Sequence, residues 1–291
     1  MRNIRRFTAG STPLQIIEEG EGIPTLVIGS ALYYDRVFSQ SLRSSFRFAF
    51  VDHRGFAPPD PSLDVATVTL QSIAEDVESA RIALGWDQFV LIGHSGHAFM
   101  ALEYAKRCPA NVTHLVLMNV SPDYHARSQE IANRHFEEHA EPERRLAFQR
   151  KMELLPAQIA EAPERAFALF NVASGPKGWY DFAFDATPLW ADVPTNMPLI
   201  DHIWGRLFHD IDILEGVEHL KAPILLVLGR HDYIVPPAYL WDEIRDRFLD
   251  MNTLVFENSA HAPMYEEHEL FDRELLRWIE VVRMRNGSES P

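Results

Sequence analysis

The sequence predicts an α/β fold: a mostly parallel central sheet with helices on both faces and an inserted helical cap. Three observations carry this. Short apolar runs alternate with stretches of helical spacing from residue 25 to 118, and again from 224 to 283. Between Ser121 and about Asp210 the alternation stops, and no β-branched run of strand quality appears. Finally, Phe89–Ile92 reads as a buried strand that turns through Gly93, His94, Ser95 and Gly96 into a helix starting near His97, leaving a serine at the apex. The expected organisation is a core domain from residues 1–120 and 211–291, with residues 121–210 as the cap.

Taken in order, Leu14–Glu18 alternates like an exposed early strand and ends in a turn around Gly20 and Gly22. Thr25–Ile28 reads as a buried strand that stops at Gly29, Ser30 and Ala31, and a helix is expected over Asp35–Leu42. Phe46–Val51 is the next strand and leads into Asp52, His53, Arg54 and Gly55. Leu70–Leu84 has helical spacing through Ile73, Val77 and Ala80, and Gly85 ends it. The strand at Phe89, its helix and a strand over Val112–Met118 follow. In the cap, Arg127–Gln158 is charged and helix-prone, while Asn171–Trp204 is rich in Pro, Trp, Tyr and Phe. Alternation resumes with Ile224–Gly229, a helix near Tyr239–Phe248, a strand at Thr253–Phe256 and a last helix over Glu267–Arg283. Residues 285–291 are polar and read as a frayed tail.

Composition excludes several classes of function. The 291 residues are 46% hydrophobic with a net charge of −15, which argues against nucleic-acid and anionic-membrane partners. Cys108 is the only cysteine, so neither an intrachain disulfide nor a thiolate metal cluster is available. The basic start Met1–Arg6 is followed by no apolar h-region, and no run reaches the length of a membrane span, so the expectation is a cytoplasmic protein. No ligand spacing of the H-E-x-x-H kind and no G-x-G-x-x-G after a strand appears, so no metal and no cofactor are expected. The expected partner is a small-molecule substrate, and the sequence leaves a homo-oligomer open.

A serine held on a sharp strand-to-helix turn needs a base, and the base needs a group to orient it, each at the carboxyl end of another strand. The strand Ile224–Gly229 ends in Arg230, His231 and Asp232; the strand Thr253–Phe256 leads to His261. The chain order is Ser95, Asp232, His261. One departure stands out: the usual elbow is G-x-S-x-G, and His97 sits where the second glycine belongs. Its side chain must point away from the helix–strand contact, or the elbow must open. Taken alone, the serine could also be a simple helix cap.

Gly229-Arg-His-Asp-Tyr-Ile-Val-Pro236 resembles the acid loop of the α/β-hydrolase family, and Ser259-Ala-His-Ala-Pro-Met-Tyr-Glu-Glu267 resembles its histidine loop. Asp52-His-Arg-Gly55 is similar to the family's D-x-R-G element. The resemblance implies an α/β-hydrolase fold and a serine hydrolase that cleaves an ester or amide through an acyl-enzyme. Ser95 would be the nucleophile, His261 the base and Asp232 its orienting acid. The oxyanion hole would combine the N–H of Gly96 with that of Ser30, Ala31 being one residue away.

For the pocket, His97 either lines it beside Ser95 or packs against the cap. Trp179, Tyr180 and Trp204 either line it, with Ala31, or seal cap to core. His94, His231 and His268 read as surface or packing residues. The overall form resembles the proline iminopeptidase and carboxylesterase branch. An aminopeptidase of that type needs a cap carboxylate for the substrate ammonium, for which Glu161, Glu164, Asp181, Asp185, Asp192 and Asp201 are candidates. A lyase or a non-turnover ligand-binding protein on the same fold are further alternatives.

Overall fold

The computed structural model describes residues 2–287. Its centre is an eight-stranded sheet in the order β1-β2-β4-β3-β5-β6-β7-β8. The strands are β1 (Asn3–Ala9), β2 (Thr12–Glu19), β3 (Ile23–Gly29), β4 (Phe46–Asp52), β5 (Phe89–His94), β6 (Val112–Met118), β7 (Ile224–Gly229) and β8 (Met251–Phe256). The six strands from β4 to β8 in that order run parallel, and only β1 and β2 are antiparallel to their neighbours. The carboxyl ends of β3, β5, β6, β7 and β8 therefore share one edge, where loops of an α/β sheet gather a site.

Each strand splits its side chains between two cores, as a period of two requires. Leu26, Ile28, Leu91, Leu115 and Leu226 face α2 (Leu70–Leu84) and α3 (His97–Arg107). Val27, Val90, Ile92, Val116 and Val227 face the other layer, formed by α1 (Ala31–Val37) and the C-terminal helix. Truncating a fully buried leucine such as Leu91 costs about 2–5 kcal/mol.

Between β6 and β7 the described residues hold helices and no strand: α4 (Ala126–His139), α5 (Pro142–Glu161), α6 (Ala166–Ala173), α7 (Gly175–Gly178) and α8 (Met197–His202). The chain closes with α9 (Pro263–Glu266) and α10 (His268–Gly287). Among the described residues no helix is long and apolar enough to cross a membrane.

Four expectations are corrected. The helix expected at Asp35–Leu42 starts earlier, because the Ser30 side chain caps it by accepting from the Tyr33 N–H at 3.3 Å. It ends at Val37, leaving only a 3₁₀ turn over Ser41–Ser44. Tyr239–Phe248 forms two short 3₁₀ turns instead of a helix, since the Trp241 indole is pulled in to donate to the Val120 carbonyl at 2.9 Å. β2 is internal rather than exposed: Leu14, Ile16 and Ile17 are buried because β1, which no apolar pattern announces, covers its outer edge. Residues 285–287 continue α10, and 288–291 lie outside the described residues.

Candidate active site

β5 ends at His94 and the backbone reverses at Ser95, which holds the left-handed φ of 56°. For a non-glycine residue this costs roughly 1–2 kcal/mol. The turn is kept by its surroundings: the Ser95 N–H donates to the Met118 carbonyl of β6 at 2.8 Å. Gly93 is required because a Cβ there would sit 2.6 Å from both Ala98 Cα and the His97 carbonyl oxygen. At Gly96 a Cβ would meet Phe208 at 2.7 Å and Trp204 at 3.0 Å.

His97 is accommodated by a gap on the neighbouring strand. A Cβ at Gly29 would lie 3.1 Å from His97 Nδ1 and inside the Tyr34 ring. A glycine on β3 thus makes the room that a glycine at 97 would otherwise have left. The ring joins a buried network whose protons are fixed by one acceptor. His94 Nε2 lies 2.6 Å from the His261 carbonyl, which only accepts, so His94 Nε2–H donates. Its bare Nδ1 then accepts from the Tyr34 hydroxyl at 3.1 Å, and His97 Nδ1–H donates to the Tyr34 oxygen at 2.9 Å. Burial pushes His94 down to about 3 and His97 well below the ordinary histidine value, so both rings are neutral. His94 is therefore no surface residue.

The acid and histidine loops are zipped together. A Cβ at Gly229 would lie 1.8 Å from the Ala260 carbonyl oxygen, and His231 N–H donates to the Ser259 carbonyl at 2.9 Å. His261 Nδ1 bonds to Asp232 Oδ2 at 2.7 Å. The same oxygen accepts from Asn119 Nδ2 at 2.8 Å, while Oδ1 accepts from the Ile234 N–H at 2.9 Å. Donors thus surround the buried carboxylate and fix its plane. Asn119 was not anticipated from sequence; its only signal is a residue tolerant of left-handed backbone (φ 46°) just past β6.

α7 holds both loops from above. The Lys177 carbonyl accepts from Tyr233 N–H at 3.0 Å and the Gly178 carbonyl from His261 N–H at 2.9 Å. α7 is in turn held by the buried Arg144 guanidinium, which donates to the carbonyls of Pro176 (3.0 Å), Trp179 (2.7 Å) and Tyr180 (2.8 Å). Below, the Glu266 carboxylate accepts from the N–H groups of Ala260 and Ala262 at 2.9 and 3.1 Å; burial raises its pKa.

Ser95, His261, Ser30, Gly96, His97 and Trp204 line one cavity of about 320 Å³. Its aromatic wall includes Tyr33 and Trp190, whose ring centroids are 4.4 Å apart, and Phe167. The other expected wall residues lie elsewhere. Ala31 is buried behind it, its N–H donating to Asp52 Oδ1 at 2.7 Å. Trp179 packs against Phe184 and Tyr265, because the carbonyls around it are turned toward Arg144. Tyr180 is exposed beside His231. Among the described residues no group of three or more His, Cys, Asp or Glu could hold a metal ion.

Residues 21–268 match the family model for the alpha/beta hydrolase fold. The AB hydrolase superfamily protein YclE of Bacillus subtilis (strain 168) is 40% identical over 262 residues, 90% of this chain and 93% of that protein. Among solved structures, proline iminopeptidase from Mycobacterium smegmatis superposes with a TM-score of 0.72 at 18% identity, covering 98% of this chain and 100% of that one. An esterase from Exiguobacterium antarcticum superposes at 0.67 with 16% identity over 94% and 98% of the two chains. The last two likenesses bear on the fold alone.

Proposed function

From the premise that the chain belongs to the α/β-hydrolase family, we propose that this hydrolase cleaves a small-molecule ester or amide through a Ser95–His261–Asp232 triad. The observation that carries the reading is the 2.7 Å bond between His261 Nδ1 and a donor-surrounded Asp232, with Ser95 and His261 on one cavity wall. In this reading Ser95 Oγ attacks the carbonyl carbon while His261 Nε2 takes its proton, then passes it to the leaving alcohol or amine. Water repeats the sequence on the acyl-enzyme. Asp232 keeps Nδ1 protonated, so that Nε2 is the basic nitrogen. The oxyanion would be met by the N–H groups of Gly96 and Ser30. Ala31 is set aside as the second donor because its N–H is committed to Asp52.

The proline-type aminopeptidase reading has less support. None of Glu161, Glu164, Asp181, Asp185, Asp192 and Asp201 lines the cavity. The wall's carboxylate, Asp123, is already engaged by Ser128 Oγ and the His125 N–H, both at 2.9 Å. The test is a rate comparison of p-nitrophenyl esters of short and medium acyl length with a proline anilide, for wild type and Ser95→Ala. Ester turnover abolished by the substitution is expected. Preference for the anilide would move the aminopeptidase reading ahead, and a Ser95→Ala protein as fast as wild type would end the serine mechanism.

A further inference from the structure

One cationic residue lines the cavity. Among the described residues lining it, Lys177 of α7 is the only lysine or arginine. Its Nζ donates to Asn133 Oδ1 at 2.8 Å and lies over the rings of Phe136 and Phe148, 4.8 and 4.6 Å from their centroids. Each of these partners is neutral, and among the described residues no carboxylate forms an ion pair with it. Burial lowers its pKa, and Glu137 opposes this only from beyond ion-pair distance. An ammonium carries three donors, so two remain uncommitted by side-chain bonds. In a chain with a net charge of −15, a half-buried cation left with neutral partners on a substrate wall is the feature most in want of an anion. Its backbone is also anchored, since its own carbonyl holds the Tyr233 N–H of the acid loop.

We propose that Lys177 receives a carboxylate carried by the substrate, so that the preferred substrate is a half-ester or half-amide of a dicarboxylic acid. This rests on the hydrolase reading above. The apolar wall, with Phe148, Phe167 and Trp190, suits the methylene chain between the two ends. Hydrolysis of a half-ester consumes one water and releases the alcohol and the dicarboxylate; Lys177 exchanges no proton in it.

The test compares monomethyl half-esters from glutarate to suberate with methyl esters of the matching fatty acids, such as monomethyl adipate against methyl hexanoate. At the chain length that spans the cavity, kcat/KM should favour the half-ester by about tenfold or more, as a charge-assisted bond allows. Lys177→Met, which can keep the packing on Phe136 and Phe148, should collapse that ratio toward one through KM of the half-ester, and Lys177→Arg should restore much of it. A ratio near one in wild type at every length, or one untouched by Lys177→Met, overturns the proposal. Calorimetric titration with free glutarate, adipate and suberate needs no turnover: saturable binding lost in Lys177→Met supports it, and no binding to wild type overturns it. Dicarboxylate binding without ester turnover would sink the hydrolase reading alone. Turnover of neutral esters with no anion preference would sink only this inference.

Discussion

His97 occupies the space that Gly29 leaves open on β3, and its Nδ1–H holds the Tyr34 oxygen. Restoring the familiar glycine should therefore harm this chain. We expect His97→Gly to lower stability by about 2–4 kcal/mol, from helix propensity and the cavity left behind, measured by urea denaturation. An unchanged or raised midpoint would show that the ring contributes nothing. At Asp232, exchange for Asn turns one of two acceptor oxygens into a donor, so that either His261 and Asn119 or the Ile234 N–H faces an N–H group. A loss of about 10⁴ in kcat is expected, with the far-ultraviolet spectrum intact; near wild-type turnover would point to another acid. The positions of these residues were largely legible in the sequence. Ser95, Asp232 and His261 each follow an apolar strand run at a recognisable distance. Asn119 was not, because a single polar residue after a strand has no pattern of its own.

At the scale of elements, the short helix α7 ties the insertion to both reactive loops through two backbone carbonyls, with Arg144 behind it. Replacing Arg144 by Met should leave the carbonyls of Pro176, Trp179 and Tyr180 unpaired and loosen α7. The expected result is a fall in kcat of tenfold or more with KM little changed, as about 1–3 kcal/mol per lost charge-assisted bond implies. If kcat and KM both stay at wild-type values, the Lys177 and Gly178 carbonyls hold the loops without help from Arg144. Sequence reading could not reach this level. The insertion's aromatic content was visible, but which rings face the cavity depends on backbone carbonyls turned toward a buried arginine, so the sequence left Trp179 and Tyr180 open between lining the pocket and sealing cap to core. The regular elements were legible where burial is two-sided, as in β3, β5, β6 and β7. They were not legible where a tertiary anchor overrides propensity, as with Trp241, or where a strand is polar, as with β1.

For the whole molecule, buried histidines set the response to acid. Burial holds His53 and His94 near 3, His114 near 4, and His97 well below its ordinary value. Each takes up a proton on unfolding once pH falls below about 6.5, so their contribution to stability is complete above that pH and is lost as it drops. Asp52 works the other way. Burial raises it to about 7, so its contribution is present at low pH and is lost as pH rises through that value. Asp76 and Glu266 are raised by burial in the same sense as Asp52, and the four histidines act against them, so unfolding near pH 5.5 should take up protons on balance. Urea denaturation at pH 7 and pH 5.5 should show a loss of stability at the lower pH. A flat response would mean that these rings are not neutral in the folded state.

The proposed chemistry depends above all on Ser95 being an activated nucleophile. The most direct measurement is reaction with a fluorophosphonate probe followed by peptide mass spectrometry, on wild type, Ser95→Ala and Asp232→Asn. One label per chain is expected, located at Ser95, absent in Ser95→Ala and much slower in Asp232→Asn. Label on another residue, or none on a folded wild-type protein, would contradict it.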